Sequence, residues 1–169
     1  MKENFDVIIV GGGMVGAAAA CSLGGSSLKI AVIENSLPPP FTKDQPHDLR
    51  VSALSIASKN ILETIGAWEG VINRRFCPFR RMRVWETTGD TEFCSNDIGH
   101  SALGYIVENR VTQLALLERL KTFENIDLIC PVGIKKIKYS ADQYSEIELE
   151  NGRLLSESFG CSRWWSIQS

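Results

Sequence analysis

The chain alternates short apolar runs with polar, turn-rich stretches, and the period of each run predicts its element. FDVIIV (5–10) and IAVI (30–33) are continuous apolar segments rich in β-branched residues, the pattern of strands covered on both faces of a parallel sheet. Between them AAAACSL (17–23) reads as helix. Residues 36–48, SLPPPFTKDQPHD, form a loop, because their prolines exclude both helix and strand interiors. ALSIASKNILETIG (53–66) predicts a helix with Ile56, Leu62 and Ile65 near one face and Gly66 as its stop. RMRVWE (81–86) alternates as a strand with Met82 and Val84 on one face, and 87–102 reads as loop. LGYIVEN (103–109) is a strand, RVTQLALLERLKTF (110–123) an amphipathic helix and NIDLICPV (125–132) a buried strand. The last ordered part is a meander of three short strands, KKIKY, YSEIELE and RLLS, with Ile147 and Leu149 on one face of the middle strand. Asn151-Gly152 is its expected two-residue turn.

Candidate chemistry enters where the first strand meets the first helix. Gly11, Gly13 and Gly16 make G-x-G-x-x-G, with Met14 and Val15 inside the motif. Gly11 permits the tight turn, Gly13 lets the backbone approach a pyrophosphate, and Gly16 lets the helix pack closely on the strand. The helix N-terminus offers unpaired N–H groups and a positive dipole end to phosphate. Glu34, eighteen residues after Gly16, ends the second strand where a carboxylate would accept hydrogen bonds from an adenosine ribose and repel a 2′-phosphate. Strand, glycine loop, helix, strand and acid together predict an α/β fold with a Rossmann-like dinucleotide-binding βαβ unit. The motif alone does not separate FAD from NAD.

Residues 7–28 carry no charge, which raises a membrane span or a signal peptide. Six of these 22 residues are glycine and the residues before them carry mixed charge, so neither pattern is met. The five cysteines are odd in number and contain no C-x-x-C pair, the usage of reduced intracellular thiols. These features place the protein in the cytoplasm. With two histidines no metal centre is expected, and a net charge of −2 gives no electrostatic case for nucleic acid. Arg74, Arg75, Arg80, Arg81 and Arg83 cluster within ten residues and read as a solvated or membrane-proximal basic face.

FDVIIVGGGMVGAAAACSL, DLRVSALS, GAWEGV, FRRMRVWE and LGYIVEN together resemble the ubiquinone-biosynthesis flavin hydroxylases, a branch of the aromatic-ring hydroxylases similar to p-hydroxybenzoate hydroxylase. RVSALS and GYIVEN are far more specific than the glycine loop. The resemblance implies an FAD-binding βαβ unit with an antiparallel β-meander crossover, incomplete relative to the family. It implies that Gly11, Gly13 and Gly16 hold the FAD pyrophosphate and Glu34 its ribose, that Arg50 contacts the cofactor, that Asn109 lies near the flavin, and that the Val132 backbone touches the adenine. Arg50 as a surface arginine capping the next helix, Asn109 as a helix N-cap and Val132 as a core residue are the plain alternatives. The implied reaction takes electrons from NAD(P)H as co-substrate and places one atom of O2 on a polyprenyl phenol ring, and it names no catalytic residue. A membrane-borne substrate also implies peripheral contact with the inner membrane or a biosynthetic complex.

Residues 1–156 thus read as the N-terminal part of an FAD-binding hydroxylase domain. Residues 157–169, ESFGCSRWWSIQS, break the pattern. Tryptophan is written only as TGG, so Trp164-Trp165 read one nucleotide over contains glycine codons, and the expectation is an out-of-frame tail on a truncated, inactive hydroxylase. Unpaired sheet edges then predict self-association. The reading from another class is a non-catalytic FAD/NAD-binding module; an NAD-dependent dehydrogenase is disfavoured by the proline loop.

Overall fold

The computed structural model describes residues 2–138 and 145–157, and the chain divides into two compact units, Met1–Pro39 with Leu116–Ser169, and Pro40–Ala115. In chain order the elements are β1 (Lys2–Phe5), β2 (Val7–Val10), α1 (Met14–Ser22), β3 (Ile30–Ile33), β4 (Val51–Ser55), α2 (Ile56–Thr64), α3 (Trp68–Ile72), β5 (Cys77–Phe79), β6 (Arg81–Glu86), β7 (Gly89–Cys94), a 3-10 turn (Ser95–Ile98), β8 (Gly104–Glu108), α4 (Asn109–Leu120), β9 (Ile126–Ile129), β10 (Ile134–Lys138), β11 (Glu146–Leu149) and β12 (Leu154–Glu157).

The first unit is a parallel sheet ordered β2-β3-β9, with α1 on one face and the meander on the other. Side-chain alternation assigns the faces. Ile8, Ala31, Ile33 and Ile129 pack with Phe5, Val132, Ile147, Leu149 and Leu155 in one apolar core, whereas Ile9, on the opposite face, meets α1 at Gly16. Because β3 is the middle strand and covered on both sides, Ile30, Ala31, Val32 and Ile33 are all buried. Burying each of its larger side chains contributes about 1.5–3 kcal/mol.

The apolar run expected as one strand is two. Asp6 interrupts it: its carboxylate accepts from the Lys29 N–H at 2.7 Å while its own N–H donates to the Lys29 carbonyl at 2.8 Å. The chain bends there, so that β1 leaves the first sheet and pairs in parallel with β12, next to the antiparallel β11 and β10. The meander turn also differs from expectation. Three residues, Glu150, Asn151 and Gly152, separate Leu149 from Arg153, whose backbone groups bond at 2.9 Å, and Gly152 takes φ +83°. That is the three-residue hairpin with a left-handed glycine.

The second unit centres on β8, flanked by β4 and β5 in an antiparallel sheet. Trp68, Phe76 and Tyr105 meet edge-on or tilted, with centroids 5.2 to 5.7 Å apart. The helix expected from residue 53 begins at Ile56, because Ala53 and Leu54 pair with Ile106 and Tyr105 across β4 and β8. Ser55 caps α2 by accepting from the Ser58 N–H. Gly66, at φ +76°, ends it: Ala67 N–H reaches the Leu62 carbonyl and Gly66 N–H that of Glu63, a Schellman arrangement. Residues 87–102, expected as loop, contain β7 and the 3-10 turn; β7 pairs with β6 in an exposed hairpin.

The four cysteines among the described residues, Cys21, Cys77, Cys94 and Cys130, are free. No helix among the described residues is long and apolar enough to cross a membrane. Of the expected aberrant tail, only Glu157 falls within the described residues, as the last residue of β12; the Trp164-Trp165 pair lies outside them.

Candidate functional site

The glycine loop is held in shape by two strands. Gly11, at φ +100°, donates its N–H to the Ile33 carbonyl at 2.8 Å, and Gly12 donates to Glu34 Oε2 at 2.6 Å. Glu34 Oε1 accepts from the Asn35 and Ser36 N–H groups at 2.9 and 3.2 Å. The Glu34 backbone is fixed in turn, its N–H on the Ile129 carbonyl and its carbonyl on the Val132 N–H, both at 3.1 Å. A carboxylate offers about four acceptor sites. Three are taken by the Gly12, Asn35 and Ser36 N–H groups, which leaves capacity for a hydroxyl donor.

The glycines divide by what surrounds them. A Cβ at Gly16 would stand 2.0 Å from the Gly11 carbonyl oxygen and 3.2 Å from Ile9, so only glycine lets α1 come this close. At Gly13, and at Gly11, an added Cβ would meet nothing within 4 Å. The space beyond these two residues is therefore open, next to the start of α1. Gly13 is the N-cap, with no side-chain cap, and the first turn, beginning Met14-Val15, carries no acidic residue. Val15 is 68% exposed. An open volume beside free backbone, at the positive end of a helix dipole with no competing carboxylate, fits a dinucleotide pyrophosphate. Val132 belongs to the same unit: its side chain lies in the core and its N–H is taken by Glu34.

Arg50 and Asn109 lie in the second unit, joined to one another. The Asn109 N–H donates to the Arg50 carbonyl at 3.0 Å, and the Asn109 Oδ1 accepts from the Ser52 hydroxyl at 2.6 Å. Asn109 is the first residue of α4, its side chain turned to Ser52. The Arg50 side chain is exposed and makes no hydrogen bond or ion pair among the described residues.

Sequence reasoning missed the most densely bonded group in this unit. Glu108, 3% exposed at the end of β8, binds the Arg75 guanidinium through both carboxylate oxygens. Arg75 also donates to the carbonyls of Gln45 and Pro46 at 3.0 and 2.9 Å, and its guanidinium lies over the Phe41 ring at 5.1 Å. The Asp48 N–H reaches Glu108 Oε2 at 2.8 Å. The Arg75 hydrogen bond holds the Glu108 carboxyl below the usual carboxylate range, against the opposing effect of burial. The five clustered arginines do not form one solvated face. Arg74 donates to the Gly70 carbonyl, Arg75 to Glu108, Arg80 to the Ser101 carbonyl, while Arg81 and Arg83 pair with Glu92 and Asp90 across the β6–β7 hairpin.

The fold is that of the FAD-binding domain of flavin-dependent monooxygenases. The structure of the flavin-dependent monooxygenase PieE, solved with FAD and substrate, superposes over 92% of this chain and 29% of that one with a TM-score of 0.67, at 13% identity. By sequence the chain belongs, over the part it spans, to the ubiquinone-biosynthesis hydroxylases. It is 36% identical over 155 residues to the 3-demethoxyubiquinol 3-hydroxylase of Escherichia coli and 32% identical over 170 residues to a ubiquinone biosynthesis monooxygenase of Dictyostelium discoideum. Each alignment takes in 91% of this chain, but the chain spans only 39% and 34% of those relatives. No protein-family model matches the chain. The likeness read from RVSALS and GYIVEN is borne out.

Proposed function

We propose that this chain carries the adenosine-diphosphate-binding half of an FAD site, in a protein that hydroxylates a polyprenylated phenol or quinol ring in ubiquinone biosynthesis. The observation that carries the reading is the cradle at Gly11–Gly16: open space at Gly13, an uncapped helix N-terminus, and Glu34 bracing the loop with acceptor capacity left over. In it the backbone N–H groups at the start of α1, with Met14 and Val15, face the pyrophosphate, Glu34 accepts from the adenosine ribose and the Val132 backbone lies at the adenine. Arg50, whose guanidinium has no other partner among the described residues, and Asn109 are the cofactor contacts of the second unit. FAD, when bound, takes electrons from NAD(P)H and activates O2 for insertion into the ring. The protein's share is to bind, orient and keep water from the cofactor. The relatives' names support the substrate class, and a prenylated ring supports contact with a membrane surface.

Titration of the purified chain with FAD, NAD and NADP, followed by calorimetry, tests the reading. Saturable 1:1 binding of FAD, with NADP failing to compete, is expected. Equal binding of NAD and FAD would favour the general dinucleotide-binding module, and no binding of either would remove the proposal.

A further inference from the structure

We infer that Arg75 is a positioning residue for the Arg50–Asn109 pair, acting by clamping the proline loop onto the end of β8. The loop 41–48 has no helix or strand of its own, and its Gln45 Nε2 is buried without a hydrogen-bond partner. What holds it is a small set of polar contacts. Arg75 binds two successive carbonyls, Gln45 and Pro46, and packs over Phe41. Glu108, gripped by the same guanidinium, binds the Asp48 N–H, and Arg110 pairs with the Asp48 carboxylate at 2.8 Å.

The geometry passes from this clamp to the pair within two residues. On the loop side, Asp48 is two residues before Arg50, whose carbonyl accepts from Asn109. On the strand side, Glu108 immediately precedes Asn109 and is the register partner of Val51 in β4. Arg75, from the segment between α3 and β5, thus joins the two backbone stretches that carry Arg50 and Asn109. Only a planar guanidinium can do this. It presents parallel donors to the Glu108 carboxylate while still reaching two loop carbonyls, and a lysine at the same place cannot serve them together.

The inference rests on the reading that Arg50 contacts the cofactor, and the test separates the two. Four forms of the full chain are compared: unaltered, Arg75→Lys, Arg50→Ala, and Val71→Ala, the last removing buried apolar volume elsewhere in the same unit. Tryptic cleavage after Lys43 reports release of the loop, thermal melting reports stability, and calorimetry reports FAD affinity. The expected result is faster cleavage after Lys43 in Arg75→Lys alone. Its FAD affinity should fall about tenfold, comparable to Arg50→Ala and beyond that of Val71→Ala at equal loss of thermal stability. If Arg50→Ala weakens FAD and Arg75→Lys does not, or if Arg75→Lys weakens it only as much as Val71→Ala, the inference is overturned while the cofactor reading stands. If the unaltered chain binds FAD and Arg50→Ala leaves affinity intact, the cofactor role of Arg50 fails, and the inference with it. If the unaltered chain binds no FAD, both fall.

Discussion

The carbonyl oxygen of Gly11 occupies the place that a Cβ on Gly16 would need: the two would stand 2.0 Å apart. One turn of α1 is therefore pressed against the first residue of the phosphate loop, and the contact exists only because position 16 has no side chain. Gly13, three residues earlier, faces empty space within 4 Å. The same substitution at these two sites should accordingly act on different links. Gly16→Ala forces helix and loop apart and should cost about 3 kcal/mol, read as a lowered melting temperature. Gly13→Ala, at φ −68° and ψ −177°, suits alanine, so stability should change by less than about 1 kcal/mol. FAD affinity should nevertheless fall at least about tenfold, because the new methyl group stands where the pyrophosphate approaches. Equal loss of stability and binding in both variants would refute the assignment of separate roles.

Glu34 gives a second test of the cradle. Its two oxygens accept three backbone N–H groups, one from Gly12 and two from the residues that follow it. Glu34→Gln turns one acceptor into a donor facing another donor, leaving at least one N–H unsatisfied. Chemical denaturation should show a loss of about 1–3 kcal/mol. Binding of NADP should remain undetectable in the natural chain and improve in the variant relative to FAD, since the charge that repels a 2′-phosphate is gone. An unchanged preference would show that Glu34 only braces the loop.

The cradle was legible because every signal in it is local. Apolar strand, three spaced glycines, alanine-rich helix, second strand and acid lie within residues 5–34, and each announces itself through side chains a few positions apart. The second unit hid its architecture for the opposite reason. β7, GDTEFC, is exposed at five of its six positions, so no apolar face marks its period. Ala53 and Leu54 favour helix by propensity, and only pairing with β8, some fifty residues on, makes them a strand. Arg75 and Glu108 are 33 residues apart. Nothing in the arginine cluster distinguishes Arg74 and Arg75, which are half-buried, from Arg80, Arg81 and Arg83, which stay at the surface.

Glu108 makes the acid side of the stability curve a reporter of the clamp. Its carboxyl is held below its ordinary value of 4.5 by the Arg75 hydrogen bond and the Asp48 N–H, so the folded protein releases this proton more readily than the unfolded chain. Stability from the pair is therefore fully present above about pH 4.5 and is lost as pH falls through the lower, folded value. Glu108→Gln should be less stable at neutral pH by about 1–3 kcal/mol and should lose less on acidification. Parallel acid unfolding curves for the two proteins, measured by circular dichroism, would exclude a contribution from this residue.

Cys21 sets the alkaline side. It lies in α1 at 3% exposure, with its thiol directed to the Leu116 carbonyl at 3.5 Å. Burial pushes the thiol from 9.0 to about 11, with Arg119 opposing. Here the folded state keeps the proton longer than the unfolded chain, so the contribution is complete below about pH 9 and disappears as pH rises through 11. The loss over that interval is on the order of 2 kcal/mol. Cys21→Ala should be less stable at neutral pH, through the lost side-chain contacts, yet decline less steeply between pH 9 and 11. In the natural chain, Cys77, which is exposed, should be alkylated by iodoacetamide well before Cys21, as mapped by mass spectrometry. Labelling of Cys21 at the same rate as Cys77 under native conditions would mean that α1 opens freely, and a helix that opens freely could not hold its N-terminus against a pyrophosphate.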